Sequence, residues 1–591
     1  MTAARNSAAG HRIWGVLRRS ASIRSLVDGL HLAPSRDGPT LPLNELCDPT
    51  RDELPAPLSD PAFRISVLTP TFNTDPRYLR ELLQTLRNQH YSNWEWVVVD
   101  DGSTHAATVA TLRELAATDP RVRVFVNPKN MGISAATNVA LAAATGTHAA
   151  LVDHDDLVSR DAFLQIYQDW RANPSTQLFY TDECKLNSEG VLEQFWPKAD
   201  WSPAYLENTM YIGHLAVYEM AFLRTLGGLR SEFDGTQDFD LALRAALSKP
   251  RVRHLPVFAY VWRIIPGSAA LDLNQKSYAV DRQRKAVLDY ARQRVADAEV
   301  VPGWGPGYWR IRYPLPSPPP LLSYVIAATS ALPGKRGDLL TRCIRSLEKR
   351  NFYPNSEYVV VHDGNLTDRQ LRELRANPRI ILARNDATAA NISHALNLGV
   401  AHAHGEFICL LDDGVDVITA RGGEDLVSYL AVNAEVGAMG PLCLNKNGTI
   451  LQNGIVLLAR GPASAGSGQW RDFGGHQGIF RCRRAVLGVG IAAMFVKKSV
   501  YEAVGGLSED LPRHFNDLDF CLKLQQRGYA CVVDPAVEVY HSQRADPQDN
   551  STVERERLYL KHPNLSDPYF NKWFDSTDPS FRVSLRDREV G

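Results

Sequence analysis

Short apolar runs alternate with longer amphipathic stretches along the chain from Arg64 onward. Apolar runs of about four to eight residues are typical of buried strands, whereas apolar positions three or four residues apart predict helices. Strands that alternate with helices form βαβ units, so we expect an α/β fold with a mostly parallel sheet. The pattern predicts strands at 65–68, 94–99, 122–126 and 147–152, and helices at 76–89, 108–118 and 134–145.

Polar clusters directly follow three of these predicted strands. They lie at 69–73, 100–103 and 153–156, and they read TPTFN, DDGS and DHDD. Ligands of open parallel sheets bind outside the carboxyl ends of the strands, where these clusters would lie side by side. One polar strand end is usually a turn, but three together predict a cleft of nucleotide size. A dinucleotide fold is disfavoured because no GxGxxG motif follows the first strand.

The third cluster places three carboxylates, Asp153, Asp155 and Asp156, close together in the sequence. Acids this dense repel one another unless a cation lies among them, which favours a site for a divalent metal and a phosphate. Asp155 or Asp156 could instead cap a helix that begins near Ser159. The cluster by itself leaves both interpretations open, and the two neighbouring polar strand ends favour the metal.

Two further acids, Asp238 and Asp240, stand at the start of a predicted helix at 241–247. Acids in a first helical turn often do no more than compensate the helix dipole, and Asp240 can be explained in that way. Asp238 is our candidate general base. The next predicted strand, 253–263, ends on an aromatic residue and a cation, and we expect it to leave the sheet.

The same plan recurs after a proline-rich segment at 302–320, which we expect to lack regular structure. The residues around Asp363, Asp412 and Asp517 repeat, in order, those around Asp101, Asp153 and Asp238, which indicates a tandem pair of domains. We expect the polar C-terminal stretch to wrap on the second domain. The predicted division is an N-terminal segment and linker (1–60), a first domain (61–300), a linker (301–320), a second domain (321–545) and a C-terminal arm (546–591).

Composition narrows the class of protein. The 591 residues carry a net charge of -1, with 44% hydrophobic and 22% charged residues, so we expect a globular protein that does not bind nucleic acid. The eight cysteines form no CxxC pair, which predicts reduced core thiols rather than disulfides or a zinc site. No apolar run reaches the ~18 residues of a membrane span and no signal peptide is recognisable, so we expect a cytoplasmic location.

Residues 11–30 combine apolar positions at helical spacing with several arginines. A basic amphipathic helix of this kind can lie on the anionic face of the inner membrane, or it can pack on the next domain. The sequence leaves both open. In the first case the protein would be peripheral on the cytoplasmic side of the membrane.

The ordered set of motifs resembles the inverting family 2 glycosyltransferases of the GT-A fold, in particular the tandem two-domain members associated with bacterial cell-surface polysaccharides. The resemblance covers about 64–541 and implies two tandem GT-A domains. It implies that Asp153, Asp155 and Asp156 hold a divalent metal, Mn or Mg, against the diphosphate of a nucleotide sugar, and that Asp238 is the general base. The residues implied to bind the nucleobase are Pro70, Thr71, Phe72 and Asp101, with Asn130 and Gly132 nearby. The segments 180–183, 200–203 and 211–214 resemble parts of the first domain that line the donor and acceptor side.

Each half also departs from the family pattern. In the first half, Val261 stands where the family usually has a metal-binding histidine, which implies a looser metal site or one completed by water. In the second half, His541 matches that position, but the metal motif reads Asp412, Asp413, Gly414, and the first turn is altered at 327–331. For this half the resemblance implies a base at Asp517, metal ligands at Asp413 and His541, a nucleotide contact at Asp363, and a weakened donor site.

The expected function is metal-dependent, inverting transfer of a sugar from a UDP- or dTDP-linked donor to a growing bacterial surface glycan or a lipid-linked glycan. Two active sites would make the enzyme bifunctional. The alternative is that only the first domain is catalytic and the second binds the glycan acceptor. A glycan-binding scaffold without activity is a rival, which the retained acids of the first half argue against. A nucleotidyltransferase is another, but no glycine-rich basic loop follows the first strand.

Overall fold

The computed structural model of the chain describes residues 38–47, 58–265, 277–328, 336–387, 391–542 and 551–585. The basic segment at 11–30 lies outside these residues. Within the described ranges, every helix is too short or too polar to cross a membrane. All eight cysteines fall in these ranges, and each is a buried free thiol, as the sequence predicts.

The first half alternates strands and helices as the apolar pattern predicts. Its strands are β1 (Leu41–Pro42), β2 (Ile65–Thr71), β3 (Trp94–Asp100), β4 (Val122–Val126), β5 (His148–Leu151), β6 (Leu157–Val158), β7 (Leu178–Leu186), β8 (Val191–Trp196), β9 (Ala216–Glu219) and β10 (Val252–Arg263). Its helices are α1 (Pro76–Arg87), α2 (Ala106–Thr118), α3 (Ile133–Ala143), α4 (Ala162–Ala172), α5 (Pro203–Leu206), α6 (Met220–Thr225), α7 (Gln237–Leu247) and α8 (Ser277–Arg294).

These strands form one sheet, in which β5, β2, β3 and β4 are parallel neighbours in that order. Every residue of β2 and β3 is buried, because helices cover both faces of a parallel sheet. Leu82 of α1 packs on one face and Ala140 of α3 on the other. The predicted α/β class is confirmed. Beyond β5 the sheet continues through the antiparallel strand β9.

Strand β10 does not leave the sheet, contrary to our expectation. It pairs in parallel with β7 along most of its length, and its end also pairs with β6. The register shifts between Leu255 and Tyr260, and such irregularities bend a strand without detaching it. Residues 260–263 are thereby held beside the acidic segment at 153–156.

The second half repeats the plan. Its strands are β13 (Leu322–Ala328), β14 (Ser356–His362), β15 (Ile380–Arg384), β16 (Phe407–Leu411), β17 (Val415–Val417), β18 (Val436–Leu444), β19 (Ile450–Gln452), β20 (Ile455–Leu458), β21 (Gly461–Ser464), β22 (Arg484–Val486), β23 (Ala493–Lys497) and β24 (Ala530–His541). Its helices are α9 (Arg336–Lys349), α10 (Asp368–Arg375), α11 (Ile392–His402), α12 (Gly422–Val432), α13 (Lys498–Ala503) and α14 (Asn516–Gln526), and the helix α15 (Ser551–Lys561) follows.

The central strands of the two halves also share their register. Leu322 lies opposite Ser356 in the second sheet, just as Ile65 lies opposite Trp94 in the first. The strand order β15, β14, β13, β16, β23 matches β4, β3, β2, β5, β9. The prediction of an α/β fold with two large, mostly parallel sheets is therefore confirmed, and the predicted domain boundaries stay a prediction.

The proline-rich segment at 302–320 is more ordered than expected. Strands β11 (Glu299–Pro302) and β12 (Trp309–Arg312) form an antiparallel hairpin across the start of this segment. Trp309 and Ile311 are buried, so the hairpin packs into the protein core. The expectation of no regular structure is wrong for this part, because alternating buried side chains stabilise strands even between prolines.

The C-terminal segment packs on both halves, whereas we expected it on the second alone. His562 lies 2.9 Å from the carboxylate of Asp519 in the second half. Farther along, the amide of Asn571 donates to Asp182 of the first half at 2.9 Å. Trp573 is 1% exposed and packs into the first half beside Cys184, Phe258 and Val261.

Buried charges join the two halves to each other. Glu207 of the first half is 1% exposed and accepts a hydrogen bond from the Tyr429 hydroxyl of the second half at 3.2 Å. Arg483 lies 3.9 Å from Glu207 and pairs with Asp534 at 2.7 Å. Burial alone would raise the pKa of Asp534, but the guanidinium groups of Arg310 and Arg483 outweigh it and hold that pKa well below its usual range.

We expect Arg483→Met to lower the free energy of unfolding by about 3–5 kcal/mol, because it leaves the carboxylates of Glu207 and Asp534 buried without this cation. Urea denaturation followed by circular dichroism measures the change. The matched control is Arg369→Met, which removes an exposed arginine paired with Glu373 at 3.1 Å and should cost less than about 1 kcal/mol. Equal destabilisation by both variants would show that the buried network does not hold the halves together.

Candidate functional site

The three polar clusters of the first half meet at one edge of its sheet. Strands β5, β2 and β3 are adjacent and parallel, so their carboxyl ends point the same way. Thr71 at the end of β2 lies opposite Asp100 at the end of β3. The side chain of Asn73 accepts hydrogen bonds from the backbone of Thr104 and His105, which joins the first two clusters. The three clusters therefore lie at the expected edge of the sheet.

Asp101 fixes the loop that follows β4. Its carboxylate accepts from the side chain of Asn127 at 2.7 Å and from the backbone N–H of Gly132 at 2.9 Å. It also accepts from the N–H of Met131 at 3.0 Å. Asp101 is 3% exposed, so in this structure it organises the loop.

Gly132 is a glycine for two reasons. Its φ is +92°, a conformation that side chains rarely adopt. A Cβ there would also lie 2.3 Å from Oδ2 of Asp234, whose other oxygen accepts from the N–H of Ser134 at the start of α3. The loop and the start of α3 therefore pack closely against Asp234.

The other residues that we predicted to bind the nucleobase differ in the exposure of their side chains. Pro70 and Thr71 lie inside β2 with buried side chains, so they shape the strand end. Phe72 is 43% exposed and Met131 is 50% exposed, while Asn130 is exposed as well. Of the residues predicted in the TPTFN turn, Phe72 is the one whose side chain is available to a ligand. Apolar and aromatic groups of this kind suit the face of a planar base.

The acids of the third cluster divide into two kinds. Asp156 is 1% exposed, and its carboxylate accepts from the Tyr260 hydroxyl at 2.6 Å and from the N–H of Arg263 at 2.8 Å. It holds the end of β10 against the cluster and is a structural acid, whereas we predicted a metal ligand. Asp153 has a side chain that is 42% exposed, and Asp155 is half-buried. These two remain available to a ligand.

The helix-capping alternative for these acids is wrong. Helix α4 begins at Ala162, and the residue before it is Asp161, so neither Asp155 nor Asp156 stands at the helix start. Burial raises the pKa of Asp155, and the neighbouring Asp153 carboxylate raises it further. A carboxylate that is costly to ionise without a cation fits a cation site.

The donor set of Asp153 and Asp155 fits a hard divalent cation. Mg is usually held by one or two carboxylates together with substrate phosphates and water, rather than by a complete protein cage. The described residues contain no group of three or more histidine, cysteine or acidic side chains placed to hold a metal. The remaining ligands would come from the diphosphate of a bound nucleotide and from water.

His214 lies at the centre of the site, although we did not predict it individually. Its Nε2 is 3.9 Å from Oδ2 of Asp153, and its ring stacks on Tyr260 with centroids 4.7 Å apart. The backbone N–H of His214 donates to Glu183 at 2.9 Å. Lys198 donates to both Glu183 and the carbonyl of His214, so the imidazole has a rigid support. The only sequence signal was its place in the 211–214 motif.

The interpretation of Val261 was wrong. Side chains alternate along a strand, and Val261 is fully buried on the side of Phe258 and Trp573. Tyr260 and Trp262 lie on the side of the acids, and both contact the ring of His214. A histidine at position 261 would face the core, so its absence says nothing about the metal. The imidazole that lies beside Asp153 in the first half is that of His214.

Asp238 is the second residue of α7, as expected, and it is partly buried. The N–H of Phe239 donates to its Oδ1 at 2.8 Å and fixes the carboxylate. Burial raises the pKa of Asp238, and the nearby His214 opposes that rise. Asp240 faces the other way and is held by Arg230 and Arg244, so it has a structural role.

The second half keeps the outline of this site but changes its chemistry. Oδ1 of Asp412 accepts from the N–H of Gly414 at 2.7 Å and lies 3.1 Å from Nε2 of His541. Asp413 is 0% exposed, so it is an interior acid and not the metal ligand that we predicted. A Cβ at Gly414 would lie 2.9 Å from the Asp412 carboxylate, so a side chain there would be crowded.

One more position differs between the halves, and two others are retained. Glu219 pairs with the first residue of β5, and Lys497 pairs with the first residue of β16, so Ala492 occupies the place of His214. Asp517 retains the place of Asp238 as the second residue of α14, and burial raises its pKa. Asp363 directly follows β14, as predicted from the sequence. The second half thus keeps a partly buried acid at the base position, while Ala492 stands where the first half has His214.

Comparisons with known proteins agree with this architecture. Residues 66–227 and 335–415 match the family described as "Glycosyl transferase family 2". An uncharacterised protein of Sinorhizobium fredii, y4gI, is 34% identical over 531 residues, which are 88% of this chain and 57% of that protein. The O-antigen biosynthesis protein RfbC of Myxococcus xanthus is 29% identical over 523 residues, 86% of this chain and 40% of that protein. The chain thus spans about half the length of the curated relatives it matches.

Among solved structures, residues 1–349 of S. aureus TarS in complex with UDP-GlcNAc are similar to part of the chain. The match covers 39% of this chain and 66% of that one, with 20% identity and a TM-score of 0.33. A similarity at this level adds nothing about the site.

Proposed function

We propose, from the match of residues 66–227 and 335–415 to the family 2 glycosyl transferase model, that the first half transfers a sugar from a nucleotide-sugar donor to a glycan, with inversion at the anomeric carbon. One observation carries the proposal. Asp153, His214 and Asp238 are neighbours: Nε2 of His214 is 3.9 Å from Asp153, and His214 opposes the rise in the pKa of Asp238 that burial causes. Displacement of a nucleoside diphosphate needs two separate acidic groups, one beside the leaving group and one beside the nucleophile.

On the leaving-group side, Asp153 and Asp155 would hold a divalent cation, which as a Lewis acid stabilises charge on the departing diphosphate. Arg263 donates to the carbonyl of Asp155 at 2.8 Å and pairs with Glu81 at 2.6 Å, so the loop that carries these acids is fixed from behind. Asp101 holds the loop at 127–132 in the same way. We infer that Phe72 covers one face of the base, and that a UDP- or dTDP-linked sugar is the donor.

On the acceptor side, Asp238 takes the proton of the attacking hydroxyl as that oxygen bonds to the anomeric carbon. Its raised pKa improves it as a base, because a more basic carboxylate binds the proton more strongly. The N–H of Phe239 keeps the carboxylate in one orientation. A base that acts from the side opposite the diphosphate gives an inverted product.

Two tryptophans beside His214 suit an acceptor sugar. The rings of Trp196 and Trp262 lie 6.0 Å apart at 82°, and the ammonium of Lys185 is 4.7 Å from the first ring and 5.1 Å from the second. Both tryptophans are half-exposed. An apolar ring face next to a fixed base gives a sugar both a contact surface and an orientation.

We propose that the second half does not transfer a sugar and instead supports the acceptor glycan. The support for this is chemical: Gly414 and Ala492 replace Asp155 and His214, and Asp412 is already engaged by His541. A glycan or lipid-linked glycan of a bacterial surface polysaccharide is the acceptor we favour, because RfbC is named for O-antigen biosynthesis.

Release of nucleoside diphosphate tests the proposal. The full chain is incubated with Mn and a panel of UDP- and dTDP-linked sugars, with and without surface-glycan oligosaccharides as acceptors. We expect release from at least one donor that increases when acceptor is present, together with an inverted linkage in the product by NMR. Absence of release across the panel would favour a glycan-binding scaffold, and release of pyrophosphate would indicate a nucleotidyltransferase.

His214 is predicted to act on both acids, as a positioning residue. We expect His214→Ala to lower kcat by about 100-fold. The variant should also shift the acidic limb of the pH–rate profile to higher pH, because His214 opposes the rise in the pKa of Asp238. Below that pKa the base is protonated and transfer stops. The pH dependence of kcat is the measurement.

The matched control is His394→Ala, which removes a surface imidazole paired with Glu509 in the second half. It should leave both kcat and the pH profile unchanged. A loss of activity in His214→Ala without any movement of the acidic limb would mean that His214 is structural and does not influence the base.

A further inference from the structure

A cleft of about 500 Å³ opens in the second half. It lies at the edge of the second sheet opposite to the strand ends that carry Asp363 and Asp412. It lies at the amino ends of β13 and β14, beside the last turn of α9 and the start of α12. Its volume is in the range of small-molecule sites. The sequence motifs gave no sign of it, and it shares no residue with the chemistry described above.

The cleft exists because one large side chain of the first half has a small counterpart in the second. Ile65 pairs with Trp94 in the first sheet and Leu322 with Ser356 in the second, so Ser356 stands at the place of Trp94. Trp94 is 1% exposed, and its indole lies under the Arg121 guanidinium at 3.7 Å. The side chain of Ser356 is much smaller than an indole, so it leaves the space open that Trp94 fills in the first half.

The surrounding residues confirm that the two places correspond. The N–H of Trp96 donates to the carbonyl of Arg121, and the N–H of Tyr358 donates to the carbonyl of Arg379. Arg379 keeps the position of Arg121 and lies over the ring of Tyr358 at 5.3 Å. The arginine is therefore retained in the second half, whereas the indole of Trp94 is replaced by the side chain of Ser356. The result is a cleft with an intact frame.

The floor of the cleft carries a hydroxyl that needs a partner. Tyr324 is 1% exposed and lines the cleft, and its hydroxyl has no hydrogen-bond partner among the described residues. A buried hydroxyl left in this way costs free energy, and a ligand oxygen that reached it from the cleft would satisfy it. Tyr324 stacks on Tyr358 with ring centroids 5.5 Å apart, so its position is fixed.

The charges at the rim are balanced. Arg421 donates to both oxygens of Glu424 at 2.8 and 2.7 Å, and Arg379 pairs with Glu348. An anion would have to compete with these carboxylates for the guanidinium groups. A neutral polyol can instead donate hydroxyl hydrogens to the carboxylates and accept from the arginines.

We propose that this cleft binds a neutral hexose unit of a glycan, remote from the site of transfer. The proposal rests on the proposed function, in which the second half holds the glycan and the first half extends it. A sugar held at Tyr324 and Ser356 would retain the chain between rounds of transfer. Extension would then proceed on the same acceptor more often than free diffusion allows.

Ligand-observed saturation-transfer NMR on the full chain tests the proposal without donor or metal. The probes are the methyl glycosides of glucose, galactose, rhamnose and N-acetylglucosamine. We expect at least one to bind, Ser356→Trp to abolish its signal by restoring the side chain of the first half, and Tyr324→Phe to weaken binding about fivefold. Circular dichroism checks the fold, and Arg421→Ala at the exposed rim replaces Ser356→Trp if that variant does not fold.

Two further variants separate this cleft from the first half. Trp262→Ala and Asp238→Asn alter the proposed acceptor wall and base, and the part of the signal that Ser356→Trp removes should persist in both. Because no donor is present, the measurement stands even if transfer by the first half fails. The proposal is overturned if none of the four glycosides binds, if Ser356→Trp leaves the signal intact, or if inorganic phosphate displaces the sugar.

Discussion

Asp238→Asn should lower kcat by about 10³-fold or more, since the acceptor hydroxyl then loses its base while every other contact remains. Asparagine has the same shape and can still accept a hydrogen bond from the N–H of Phe239, so the start of α7 should be preserved. The donor binds on the other side of the sugar plane, and we expect its affinity to change less than about twofold. Single-turnover transfer and calorimetric titration of the donor measure the two quantities.

The chain supplies a matched control for this variant. Asp517 occupies the corresponding position in α14 and is partly buried in the same way, so Asp517→Asn makes the same chemical change in the second half. We expect transfer by Asp517→Asn to stay within about twofold of the wild type. Loss of activity in both variants would mean two working sites and a bifunctional enzyme, and retained turnover in Asp238→Asn would refute the assignment of the base.

Asp155→Ala should remove the metal-dependent part of donor binding at the first site. A metal on the leaving diphosphate is worth several kcal/mol in the transition state, so the loss corresponds to about 10³-fold in rate. Asp155 contributes through its side chain, whereas its carbonyl, which Arg263 binds, is retained in the variant. Titration of the nucleotide sugar with and without Mn measures the change in donor binding, and single-turnover transfer measures the change in rate.

The control here is Asp412→Ala, which removes the corresponding acid from the second half. It breaks the contact with His541 but should leave Mn-dependent donor binding as it is in the wild type. Asp413→Ala would be a poor control, because that acid is fully buried and its removal would disturb the fold. Equal donor affinity with and without Mn in the wild type would contradict a metal at Asp153 and Asp155.

Much of the fold could be predicted from the sequence because its central strands are buried on both faces. Such strands are nearly continuous apolar runs, and β3 and β14 are recognisable from their valines alone. The hairpin of β11 and β12 was missed because prolines around it suggested a linker, although Trp309 and Ile311 alternate as in a strand. The C-terminal segment was misplaced because its partners, Asp182 and Cys184, are hundreds of residues away.

The candidate site was predictable where local spacing determines it and not where distant residues do. Asp153 and Asp238 follow from their places at a strand end and in a first helical turn. Asp156 looked equivalent to its neighbours, and only Tyr260, 104 residues later, makes it structural. Val261 could have been recognised as inward-facing, because residues on either side of it share the opposite face of the strand.

The C-terminal segment has a consequence for the order in which the protein is completed during synthesis. Trp573 fills part of the core between Cys184 and Val261, and Asn571 satisfies Asp182, so the first half cannot finish folding while these residues are still in the ribosome. At about 5–20 residues per second, translation of residues 264–573 would leave the first half waiting tens of seconds. During that interval its unfilled core is exposed to chaperones.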